Sequence, residues 1–363
     1  MMDALSIYHW TKRQLRPPDL LETRARPRAT QLEYTIPPEY DKATLSNEFT
    51  HRNHYIPQRY QHGFANDAGK VWLFDRKTLK YREGAPINIG VQRDFYTTVD
   101  KAGVPNDSVE KMLASLEGAV WPLLDRLNRR VDEINAEDRV HLALFVAFMR
   151  TRTPAFDQRS NNMGNTLLQW TARARNPTPE AVTEDYKKAT GKMIDASEAQ
   201  EIFDAIHSGK YFVETPRQNN IKMMLDIATE LGQALVTMSW TIFRSTPDYN
   251  FVTSDNPFIV LPPLGKDTTL EGTGPLSPGA INLIPLSSST LLCACQDGSG
   301  PLRFLRANRH FVTFTNQHVA AGSDRFFLAR DEALLKKLVK TTKADQWQNS
   351  FMPRIVSPGS NQP

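Results

Sequence analysis

Hydrophobic and polar positions follow three different rhythms along the chain. Near the start of the patterned region, Val71-Trp72-Leu73-Phe74-Asp75 is a short apolar run. A polar turn at Lys77-Thr78-Leu79-Lys80 leads to a second run around Tyr81, which predicts a β-hairpin. Asp94-Phe95-Tyr96 follows, then a turn over Gly103 to Asn106. The rhythm then becomes helical. Val109, Met112, Leu113, Leu116 and Val120 recur at helical spacing behind Asp107 or Ser108 as cap, predicting a helix to about residue 129 that Pro122 kinks or divides. A second helix is predicted over 136–151. Its stretch Leu142 to Met149 is apolar all round, the pattern of a helix buried on every side. Further helices fit 155–174, 178–190, 195–207 and 217–235. The last third turns to strands, at 235–243, 250–253, 258–261, 281–286 and 290–294, with an exposed Gly/Pro-rich loop at 262–280. A helix at 308–321, a strand at 325–328 and a helix at 331–339 close the pattern.

Strands, then helices, then strands predict an α+β fold: a mixed or antiparallel sheet of N- and C-terminal strands packed on a central helical block. The domain reading is a single α+β domain over 51–342. Before it, residues 1–50 are broken by Pro17, Pro18, Pro27, Pro37 and Pro38 and read as an extended, poorly ordered segment with one short helix near 4–15. Residues 343–363 read as a tail.

Composition narrows the function classes. The 363 residues are 40% hydrophobic and 23% charged, as in an ordinary globular protein. The formal net charge of +4 is too small to identify a nucleic-acid binder. Lys12, Arg13, Arg16, Arg24, Arg26 and Arg28 make the N-terminal stretch basic, but a solvated tail explains them better than a nucleic-acid arm. The two cysteines, Cys293 and Cys295, lie among Leu and Ala and read as small core residues on one strand face. No apolar run reaches the ~20 residues of a membrane span. No apolar leader core precedes a cleavage site, so the cytoplasm is the expected compartment. The phosphate-binding loop, dinucleotide, nucleophile-elbow and zinc-helix motifs are absent from the sequence. Asp75-Arg76-Lys77 has a spacing found in some metal-dependent nucleases, but a hairpin turn explains it as well. His51, His54 and His62 are too irregular for a metal site. No metal site is assigned and the cofactor is left unknown.

Four segments, in order, resemble one family. They are Asn53-His54-Tyr55-Ile56-Pro57-Gln58-Arg59-Tyr60 with the Trp72-Leu73-Phe74-Asp75 strand, Ala147-Phe148-Met149-Arg150-Thr151-Arg152-Thr153-Pro154, Phe251-Val252-Thr253-Ser254-Asp255-Asn256-Pro257, and 316–326. Together the chain resembles the DUF4238 family over about 53–330, departing from it in the long segment before the His-Tyr motif. The resemblance implies no reaction. Because some relatives are associated with defence against phage, it implies that setting here.

The polar residues in these segments are the candidate site. His54 would be a proton carrier near neutral pH, or a histidine bonded into the core. Tyr55 and Gln58 suit ligand contact and packing equally. Arg150 and Arg152 leave a greasy helix with charges they cannot lose, so they need an anion, either inside the molecule or bound as phosphate or carboxylate; helix capping is the alternative. Asp255, in Asp-Asn-Pro, would orient His54 or bridge to an arginine, or simply form a turn with Asn256. Asn316, mid-helix, would reach a backbone group or a ligand. One reading is thus an effector acting on a phosphate-bearing or nucleic-acid substrate, with His54 and Asp255 catalytic and Tyr55, Gln58, Arg150, Arg152, Asn256 and Asn316 binding. The other is a non-catalytic binding or sensor protein in which the same residues are structural. No membrane partner is expected.

Overall fold

The computed structural model describes residues 51–99, 103–209, 216–263, 273–296 and 302–342. The readings of 1–50 as an extension and of 343–363 as a tail, and residues 264–272 of the 262–280 loop, lie outside them. By internal contacts the chain divides into two compact units, one running to Thr153 and resuming at Leu225, the other Pro154–Met224.

The first unit opens with β1 (Arg52–His54), α1 (Gln58–His62), β2 (Val71–Asp75), β3 (Lys80–Gly84), a 3-10 turn at Pro86–Asn88, β4 (Val91–Arg93), β5 (Thr98–Val99) and β6 (Pro105–Asn106). Two long helices follow, α2 (Ser108–Asn128) and α3 (Ala136–Thr151). The β2–β3 hairpin forms where the pattern predicts it, and Asp75 shapes its turn by accepting the amides of Lys77 and Thr78, each at 3.0 Å. The Asp-x-Lys spacing is therefore accounted for by an Asx-type turn. Helix α2 runs through Pro122 undivided. Asp107 caps it by position without a side-chain cap bond and pairs with Lys111 instead. Helix α3 starts at a capping box, Asn135 with Asp138, and its Leu142 to Met149 stretch is almost wholly buried.

In the second unit, α4 (Pro154–Arg175), α5 (Pro179–Thr190) and α6 (Ala196–Ser208) are joined by the start of α7 (Arg217–Thr237). Val182 and Ala199 are buried between helices, and Asp157–Arg217 and Asn161–Asn220 tie α4 to α7.

The first unit resumes with the rest of α7 and then β7 (Ser239–Arg244), β8 (Thr253–Ser254), β9 (Ile259–Leu261), β10 (Ile281–Ser287), β11 (Thr290–Cys295), β12 (Arg303–Arg306), α8 (Arg309–Gly322), β13 (Phe326–Ala329) and α9 (Glu332–Thr342). The strand expected from residue 235 starts only at Ser239. Leu231 and Leu235, four apart and buried, keep that stretch helical until Met238 turns the chain. Gly232 lets α7 approach α3, since a Cβ there would stand 2.7 Å from Leu144 Cδ2 and 3.3 Å from its Cα.

The strands form a five-stranded sheet, β12-β7-β11-β10-β9, and a four-stranded sheet, β3-β2-β13-β8. Among the described residues, only the β12–β7 pair is parallel. The fold is α+β as expected, but among the described residues the single sheet resolves into two larger ones and two small ribbons. Strand β12 has no counterpart in the sequence reading, because Arg303 and Arg306 flank only two apolar residues. The four-stranded sheet joins N-terminal β2 and β3 to C-terminal β8 and β13, with Phe74 and Phe327 5.4 Å apart. Phe243, Phe251, Phe311 and Leu335 continue that core, and Cys293 and Cys295 sit in it as free thiols on one strand face. Tyr60 fastens α1 to this frame, donating to the Pro285 carbonyl and accepting from Thr253 Oγ1, both at 2.7 Å. That anchor fixes the segment from which His54 projects.

Candidate functional site

A polar cleft of about 620 Å³ opens in the first unit, lined by His54, Gln58, Arg59, His62, Glu110, Ala114, Glu117 and Arg152. One wall is β1 and α1. The second is a single face of α2, since Glu110, Ala114 and Glu117 stand at i, i+4 and i+7. Arg152, the C-cap of α3, closes the base.

Arg152 has 2% of its surface exposed. Its backbone caps α3 by donating to Phe148. Its guanidinium donates to Glu117 Oε1 at 2.6 Å, to the His54 carbonyl at 2.5 Å and to Tyr96 Oη at 3.3 Å. Tyr96 returns a bond to the Arg152 carbonyl at 2.9 Å. The anion its charge demands is thus Glu117, inside the molecule. Arg150 stands two residues earlier, some 200° around the helix. It turns away, lying over the Phe258 ring and reaching that residue's carbonyl at 3.4 Å.

His54 Nε2 lies 3.2 Å from the Ile87 carbonyl. A carbonyl only accepts, so Nε2 carries the hydrogen and the neutral ring keeps its lone pair on Nδ1. Burial lowers the His54 pKa, with Arg52 and Arg152 adding to the shift and the Ile87 bond opposing it. Glu110 is pushed the other way, up to about 7, chiefly by burial and with help from Glu117; Arg152 and a bond from Asn53 restrain it. Its Oε2 is buried without a hydrogen-bond partner. Two proton carriers with opposite shifts therefore line one cleft, which is the arrangement acid–base chemistry uses.

The raised Glu110 has a consequence for stability. Its folded pKa lies above the ordinary 4.5, so between about pH 4.5 and 7 the folded state holds more protons than the unfolded one, and stability falls as pH rises through that window. Urea denaturation should show Glu110→Gln gaining up to about 2 kcal/mol on the parent at pH 8, after allowance for screening at this partly open position, and nothing at pH 4. Equal curves at both pH values would disprove the shift.

The other predicted residues do not line the cleft. Asp255 is fully buried and accepts the amides of Asp324 at 2.9 Å, Arg325 at 2.6 Å and Phe326 at 3.2 Å. Burial raises its pKa to about 7, Asp324 adds to the rise, and the three amides oppose it. Asn256 donates to the Gly322 carbonyl at 2.9 Å. Asn316 accepts from the Val252 amide at 3.0 Å and donates to the Asn250 carbonyl at 2.8 Å. All three bind the 250–256 segment to α8 and β13. Three backbone amides bond Asp255 directly, and the arginine whose charge it feels is Arg76, on the turn after β2. Tyr55 is buried against Phe95, 6.0 Å between centroids, and burial followed by the Asp255 charge raises its pKa. It belongs to the Asp255 side, away from His54.

Of the residues named from sequence, the cleft thus gathers His54, Gln58 and Arg152. Sequence reasoning missed Glu110, Glu117, Arg59 and His62. The available signal was the i, i+7 pair of carboxylates on a mostly apolar helix. Among the described residues, no group of three or more His, Cys, Asp or Glu is placed to hold a metal ion, and no helix is long and apolar enough to cross a membrane. Searches of curated proteins and of solved structures find no match. A family model described as "Protein of unknown function (DUF4238)" matches residues 52–333, the stretch that carries both the cleft and the Asp255 bracket, and the chain belongs to that family.

Proposed function

We propose that the cleft is a general acid–base site acting on a phosphate-bearing substrate, most simply the phosphodiester of RNA, in a cytoplasmic defence setting. The observation that carries the chemistry is Glu110, a carboxyl with a pKa of about 7 and a partnerless buried oxygen, in the same cleft as a histidine whose Nδ1 is left as acceptor. His54 Nδ1 takes the proton of the ribose 2′-hydroxyl, the 2′-oxygen bonds to phosphorus, the bond to the 5′-oxygen breaks, and Glu110 gives that oxygen its proton. Arg152 is answered by Glu117 and Arg59 by Asp125 at 2.7 Å, so an anion would be met by the half-exposed Arg59 side chain in competition with Asp125 rather than by a net positive charge. Gln58 would contact the substrate. Arg150, Arg152, Tyr55, Asp255, Asn256 and Asn316 act in this reading as its frame. The defence setting rests on the family resemblance alone.

The test is cleavage of a short oligoribonucleotide, with its deoxy counterpart as control. The rate is expected to rise as His54, its pKa lowered by burial, loses its proton and to fall as Glu110 loses its own near 7, giving a bell-shaped profile whose maximum lies below pH 7. His54→Asn and Glu110→Gln should each lower the rate by about 100-fold or more without lowering the melting temperature. A second reading, a binding protein without catalysis, is favoured by one feature: the Arg152 guanidinium is already held by three partners within the fold. Absence of RNA cleavage across pH 5–8, together with retained oligonucleotide binding, would replace the first reading with the second.

A further inference from the structure

The second unit presents a face that its own helices leave open. On α4, Met163, Leu167, Leu168 and Trp170 are 65%, 64%, 47% and 53% exposed. No charged residue occurs in the thirteen positions between Arg159 and Arg173. Beyond this face, about 80–120° to either side of Leu167, the helix is engaged with the rest of the unit through Asp157–Arg217, Asn161–Asn220 and the bond from Arg173 to the Ile206 carbonyl. A solvated helix face normally carries charges. This one does not.

The positions follow a heptad. Ser160, Leu167 and Ala174 are seven apart, as are Met163 and Trp170, and Gly164 and Thr171. Taken at 100° per residue, Leu167 lies at the centre, with Ser160 and Ala174 within about 20° of it. Met163 and Trp170 fall on one flank, Gly164 and Thr171 on the other. The set is nearly symmetric about Leu167, which is the property a two-fold contact requires. A second α4 laid antiparallel brings Leu167 against its own copy and Met163 against Trp170, a thioether on an aromatic ring. The same alignment sets Ser160 against Ala174 and Gly164 against Thr171, small against small. A Cβ built on Gly164 meets nothing within 4 Å, so that flank has room for a neighbouring helix. Antiparallel helices also oppose their dipoles favourably.

We propose that this face of α4 pairs with the same face of a second copy of the chain, in antiparallel, coiled-coil-like packing centred on Leu167. The three large side chains on this face, Met163, Leu167 and Trp170, expose on the order of 350 Å². Two copies with their small flanking residues bury about 1,000 Å², the low end of specific interfaces, so the dimer is a weak one that forms in the micromolar range.

Sedimentation of the full chain from about 1 to 200 μM tests this; the mass should rise from one chain to two over that range. Leu167→Glu should weaken association by about 10-fold or more. Gly164→Leu adds a good helix former in open space, so the fold is kept while the close flank is blocked; it should weaken association as well. Leu167→Cys, on the two-fold, should cross-link to itself on mild oxidation in higher yield than Met163→Cys. A chain that stays monomeric throughout, or a dimer indifferent to both Leu167→Glu and Gly164→Leu, would overturn the proposal. So would a monomer whose exposed face binds anionic lipid vesicles and loses that binding in Leu167→Glu.

Discussion

Arg152→Ala is expected to destabilise the chain by about 3–5 kcal/mol, read from urea denaturation at pH 7. The guanidinium makes three bonds from a position almost without solvent, to a carboxylate, a carbonyl and a phenol. Its removal leaves Glu117, only 19% exposed at its side chain, as an unpaired partly buried charge, and leaves the His54 carbonyl without its donor. Arg152→Lys keeps the charge but replaces a planar fork by a point donor that cannot reach three partners, so it should recover only part of the loss. Glu117→Gln combined with Arg152→Ala should cost less than the sum of the two, because the stranded charge is gone. A loss below about 1 kcal/mol for Arg152→Ala would mean that the guanidinium does not hold β1, α2 and α3 together, and the cleft described above would lose its base.

Asp255→Ala is the other large loss, also about 3–5 kcal/mol. The carboxylate accepts three successive amides at the entry to β13, a strand in the middle of the four-stranded sheet. Alanine would strand buried N–H groups with no water to replace the acceptor. Asp255→Asn retains one acceptor oxygen and should lose roughly half as much. The decisive comparison is with Glu110→Gln. Asp255→Ala is expected to lower stability and activity together, whereas Glu110→Gln lowers activity while raising stability above pH 7. If Asp255→Ala instead left the melting temperature unchanged and removed activity, Asp255 would belong to the chemistry and the acid assigned to Glu110 would be wrong.

Local signals in the sequence were enough for most elements. The apolar stripe after Asp107, the all-round apolar run from Leu142 to Met149 and the Asp75 turn are set by contacts within a few residues, so spacing and turn chemistry locate them. The Ile281 to Ser287 and Thr290 to Cys295 strands were legible for the same reason. The need of Arg152 for an anion was legible too, because a guanidinium keeps its charge wherever it is buried.

Which anion answers Arg152 was settled only when the chain folded. Glu117 is thirty-five positions away on α2, and nothing local separates it from other acidic residues on that helix. The same holds for Glu110. A carboxyl on a helix ordinarily titrates near 4.5, and only the burial produced by β1 and α3 closing over that face carries it to about 7. Asp255 illustrates the converse: a residue whose sequence suited catalysis is occupied by amides some seventy positions downstream. Spacing and turn chemistry sufficed for the elements, the buried helix and the existence of a charge needing compensation, because those depend on neighbours along the chain. The tertiary structure alone decided which charges meet, how far each is removed from water and hence which protons can move, because desolvation and Coulomb energy depend on distance in space.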